Sequence, residues 1–159
     1  MDNKNNTPLY LRLELLWWGI ILLVACIVLA PIIFSIGKHY PFYLINVIYI
    51  VTFIMVTRYL FLLPATFLAK RQIGKITIVF LCIPFVFYLI EGIHTFQEYL
   101  DYEGILSMVA TLPIDQQEGY ARYIQSELLL FGVGSVISTC LFPLRLIISV
   151  WRQYNRGTV

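Results

Sequence analysis

Charge is scarce in this chain. Asp, Glu, Lys and Arg together make up 13% of its 159 residues, where a soluble globular domain carries roughly a quarter. Apolar residues fill 60%, and the mean hydropathy is +0.81. That leaves too little polar surface to cover a globule in water, so most of the chain is expected in lipid. Cysteine is also sparse. Cys26, Cys82 and Cys140 each sit alone in an apolar run, with no CxxC spacing. This argues against a disulfide relay or a thiolate metal site. HExxH, GxSxG and Walker-type glycine loops are missing. No nucleophile stands beside a base, so the sequence leans away from an enzyme. Nothing in it suggests a nucleic-acid partner.

What is present is length of hydrophobic run. A spanning helix needs about 20 mainly apolar residues, and four segments qualify: 13–37, 42–69, 75–95 and 127–151. The first is longer than a signal-peptide core of about 7–15 residues, so it reads as a true span. Period-2 alternation is absent, which excludes barrel strands. The expected fold is an all-α membrane protein, a four-helix up-down bundle forming a single membrane domain over 1–159. Each span holds one proline: Pro31, Pro64, Pro84 and Pro143.

Orientation follows from Lys and Arg in the short loops. Lys70, Arg71 and Lys75 lie between spans 2 and 3. Arg152 and Arg156 follow span 4, and Lys4 and Arg12 precede span 1. The opposite side has Lys38 and Arg122. Both termini are therefore expected in the cytoplasm, with the protein in an inner or plasma membrane. The outer loop, 96–126, holds Glu98, Asp101, Glu103, Asp115 and Glu118 against Arg122. It is too short for a folded domain of its own. Its pattern suggests two short amphipathic helices, the second starting near Pro113 with Asp115 in its first turn. It reads as a cap on the bundle or a docking surface.

Charges inside a bilayer need a partner or a role. Arg58 falls near the middle of the second segment, and Glu91 in the third is the best acid to neutralise it. Glu14 and Arg145 form a second candidate pair. The alternatives for Arg58 are a partner subunit's acid, a lipid phosphate, or an anionic or quinone-like ligand. On the third span Glu91, His94, Glu98 and Asp101 recur at helical spacing on one face, and His39 ends the first span on the same side. The expected reading is a hydrated polar cluster. His39, His94, Glu91 and Glu98 are also weak candidates for metal, and the two histidines for haem, although no cofactor is predicted. Gly134, Ser135, Ser138 and Thr139 place small residues four apart in span 4, a spacing that permits close helix approach.

These features favour an accessory or scaffolding subunit. It would bind membrane lipids and other integral membrane subunits, as a hetero- or homo-oligomer, through Arg58 and the acidic outer loop. An oligomeric transporter or channel with Arg58 and Glu91 in its pathway is the second reading. A metal- or haem-binding redox protein is the third.

Overall fold

The computed structural model describes residues 7–63, 66, 68 and 71–155, with the backbone alone described for 7–11 and 39. The described residues are helical almost throughout. Helix α1 runs Thr7–Ser35, α2 Tyr43–Leu62, α3 Gln72–Tyr102, α4 Ile105–Met108 and α5 Ile114–Asn155. Four of these are long and apolar enough to cross a membrane, which suggests a helical membrane bundle. A one-turn 3₁₀ helix, Gly37–His39, links α1 to α2.

The lengths differ from expectation in informative ways. At 1.5 Å per residue α5, with 42 residues, is about 63 Å long, twice the roughly 30 Å hydrocarbon core. It starts just after Pro113, carries Asp115 in its first turn and runs without a break into the fourth span. Helix α3 extends to Tyr102 and stops because Gly104 adopts φ +76°, a conformation that side chains with a Cβ rarely take. The first of the two short helices expected in 96–126 is therefore divided between the end of α3 and, after a turn, the short α4. The second span is shorter than the apolar run 42–69. Helix α2 ends at Leu62, and the Leu63 carbonyl accepts both the Thr66 backbone N–H (3.1 Å) and the Thr66 hydroxyl (2.8 Å). Pro64 lies outside the described residues, as do Lys4, Lys70 and Arg156.

Packing follows periodicity. The buried residues of α3 are Lys75, Cys82, Leu89 and Phe96, seven apart each time. On α5, Ala121, Leu128, Ser135 and Phe142 are buried at the same interval. A seven-residue repeat keeps one narrow seam facing its partner. Contacts pass from Lys75 and Ser149 (3.0 Å) to Ile93 and Gly132, so the two helices run in opposite directions. Helix α2 sits across this pair. Its Tyr49 hydroxyl donates to the Leu89 carbonyl at 2.9 Å, and the Phe53 ring packs on Gly134. Helix α1 buries a single ridge, Ile21, Ala25, Leu29 and Ile32, and is tied to α5 where the Tyr123 hydroxyl donates to the Val28 carbonyl (2.7 Å).

Candidate functional site

Two buried polar clusters lie at opposite ends of the bundle. The first surrounds Arg58. Because α2 stops at Leu62, Arg58 is four residues from its end, about 6 Å of helical rise, and not at mid-span. Its partner is Glu14 of α1: Nη1 donates to Oε2 at 2.6 Å, with both side chains largely buried. The guanidinium also lies 5.1 Å from the Trp17 ring centroid and 5.4 Å from that of Tyr59, within cation–π range. Arg58 Nε and Glu14 Oε1 remain buried without a hydrogen-bond partner.

Neither expected pairing, Arg58 with Glu91 or Glu14 with Arg145, forms. Glu91 is exposed on α3, and its neighbour Gly92 faces Ile45 and Tyr49 of α2. Tyr49 is nine residues, or about 14 Å of helix, from Arg58, so Glu91 is too far along the bundle to reach it. Arg145 does not pair with Glu14 either. Its Nε donates to the Leu60 carbonyl at 3.3 Å, one of the last four carbonyls of α2, which lack an intrahelical donor. A cation suits that negative helix end. Lys75, fully buried, donates to Ser149 Oγ (3.0 Å) and Gln153 Oε1 (3.4 Å) at the same end of the molecule.

The second cluster was not anticipated. Glu127 of α5 is 6% exposed and Asn46 of α2 is fully buried. Asn46 Nδ2 donates to Glu127 Oε2 at 2.7 Å and to the Tyr40 hydroxyl oxygen at 3.3 Å. Glu127 Oε1 and Asn46 Oδ1 are both buried acceptors with no donor. Burial pushes the Tyr40 hydroxyl above its usual pKa, so it stays neutral. Aromatic rings close the cluster over. Tyr40 packs edge-on to Tyr43 (4.9 Å between centroids), and Phe42 does so to Phe96 (5.2 Å) and Tyr99 (5.4 Å). Met108 and Val109, in and just after α4, are buried in the same apolar core. The available signal was modest: Asn46 lies about one turn inside the run 42–69 and Glu127 opens the run 127–151, two polar residues at the same end of the bundle.

The polar face of α3 points outward. Glu91, His94, Glu98 and Asp101 are all exposed, and His94 Nε2 lies 3.4 Å from Glu98 Oε1, one helical turn on. The side chain of His39 lies outside the described residues. Among the described residues, no group of three or more His, Cys, Asp or Glu side chains is placed to hold a metal ion. Ser135, Ser138 and Thr139 are buried. A Cβ on Gly134 would stand 2.8 Å from the Phe53 ring, so glycine there lets α2 and α5 approach.

Comparison of the chain with protein-family models, with curated proteins and with solved structures finds no match.

Proposed function

We propose that this chain is a small polytopic accessory or scaffolding subunit, with both termini in the cytoplasm, that works by binding other membrane proteins within the bilayer. The observation that carries this reading is the lateral face of α3. Only 11% of its most apolar stretch is buried. An apolar groove of about 520 Å³ opens sideways between α3 and α5, lined by Ile76, Val79, Phe80, Ile147, Val150 and Trp151. A concave face with aromatic side chains matches a partner helix better than a smooth lipid-facing surface does. The outer ends of α3 and α5 continue past the hydrocarbon core and present the exposed side chains of Glu98, Asp101, Asp115 and Glu118, an acidic surface at the end of the pair opposite the groove.

Arg58 takes a supporting part in this reading. With Glu14 beside it, it holds α1 to α2, and the partner's acid or lipid phosphate is no longer needed to neutralise it. The competing transporter reading loses its shared site, because Arg58 and Glu91 lie in different parts of the bundle.

The test is a photo-crosslinking amino acid placed at Phe80 or Phe87, both exposed on α3, in native membranes. The expected result is a discrete adduct with another membrane protein, identified by its mass. Adducts with lipid alone would overturn the proposal. An adduct with a second copy of the chain would replace it by a homo-oligomer, and would bring the transporter or channel reading forward.

A further inference from the structure

The bundle spends a buried acid at a place where no cation neutralises it. Three ion pairs form among the described residues, and Glu127 is in none of them. The groups that face it are neutral. Asn46 comes from α2, Tyr40 from the turn before α2, and Tyr123 from α5 itself. An ionised carboxylate in such surroundings is costly. Its neighbour makes the cost worse. Asn46 gives one N–H to Glu127 Oε2 and turns an unmet acceptor, Oδ1, toward no donor, while Glu127 Oε1 is equally unmet. Two buried acceptors on two side chains already joined by a hydrogen bond share one deficit, a single proton.

We propose that Glu127 is a proton-binding site, holding a proton on Oε1 and sharing it with Asn46 Oδ1 in a cyclic acid–amide pair. One O–H donor then satisfies both orphaned oxygens: the carboxylic acid donates to the amide oxygen, and the amide N–H donates back to Oε2. The Tyr40 hydroxyl oxygen takes the second amide hydrogen. The rings of Tyr40, Phe42 and Tyr43, with Met108 and Val109, keep the pair dry. Loss of the proton leaves a buried carboxylate that keeps one N–H from Asn46, with Oε1 and Asn46 Oδ1 again without a donor, and so weakens the tie between the two helices. The site therefore couples proton uptake to the α2–α5 contact. It does not depend on whether the chain is an accessory subunit.

The test is infrared spectroscopy of the purified full chain in lipid nanodiscs. At neutral pH a carboxylic-acid C=O band that shifts in D₂O is expected. It should vanish in Glu127→Gln and persist in Glu14→Gln, and it should fade in the wild type as pH is raised. Glutamine supplies an acceptor and a donor like those of the protonated acid, with one further N–H, so the variant is expected to fold. Should it fail to assemble, Asn46→Leu keeps the test open. Loss of the amide partner moves the band to higher frequency if the assignment is right. Absence of the band in the wild type, or its survival in Glu127→Gln, overturns the proposal. So does a band that answers to sodium concentration at fixed pH, which would mark an alkali-cation site.

Discussion

Removing Glu14 is the sharpest probe of what holds α1 to the bundle. The pair it makes with Arg58 is short, at 2.6 Å, and the arginine side chain is 4% exposed. Stripping one partner from a buried ion pair costs about 3–5 kcal/mol, chiefly because a charge is left behind. Here the Trp17 and Tyr59 rings still face the guanidinium and can offset up to about 1 kcal/mol each. Glu14→Leu is therefore expected to cost about 2–3 kcal/mol. Arg58→Leu should cost less, about 1–2 kcal/mol, because a stranded carboxyl can take up a proton and a guanidinium cannot give one away. The double variant replaces the pair with apolar groups and should return to within about 1 kcal/mol of wild type. Unfolding by a denaturing detergent in mixed micelles, followed by circular dichroism, reads all four members of the cycle. A coupling of about 2 kcal/mol or more is expected between Glu14 and Arg58, and none between Glu91 and Arg58. Additive losses for Glu14 and Arg58 would refute the pairing.

Other outcomes follow from the packing. Gly92→Ala puts a Cβ 2.5 Å from the Tyr49 hydroxyl oxygen and 2.8 Å from Ile45, so it should destabilise by about 1–3 kcal/mol. Gly119→Ala meets nothing within 4 Å and should stabilise α5 by up to about 1 kcal/mol. The same detergent titration separates the two. Arg145→Met removes the donor to the Leu60 carbonyl and should cost about 1 kcal/mol, with the Glu14–Arg58 coupling unchanged. A loss of that coupling would return Arg145 to the Glu14 site. Cys26 and Cys140 are exposed and Cys82 is buried. In mild detergent, maleimide should modify the first two within the time that Cys82 resists, and fast labelling of Cys82 would contradict the α3–α5 seam.

Much of this was legible in composition and order. A 60% apolar chain with four long runs has few alternatives to four helices, since the backbone must satisfy its own hydrogen bonds in lipid. The start of α5 after Pro113 was readable for a similar reason, because proline and Asp115 mark a helix start locally. The end of α2 was harder. Apolar residues continue to Ala69, and hydropathy carries no information about where a helix stops inside such a run. Misjudging that end moved Arg58 to mid-membrane and turned Glu91 into its apparent partner.

Partner choice was beyond the sequence altogether. Glu14, Glu91 and Glu127 are three acids in apolar surroundings, alike in type. Which one meets Arg58, which faces outward and which is sealed beside Asn46 depends on the rotation and axial register of each helix. Those are set by side chains far apart in the chain: the seven-residue seam of α3 and α5, the Phe53 ring on Gly134, and the Tyr49 hydroxyl on the Leu89 carbonyl. Local forces in lipid dictate that a segment is a helix, and the sequence alone determined that much. A rotation of one residue turns a helix by about 100°, since 3.6 residues make a turn, and only tertiary packing discriminates among those rotations. The tertiary structure therefore decided which charges are paired, which are exposed, and which acid is left with an unmet oxygen.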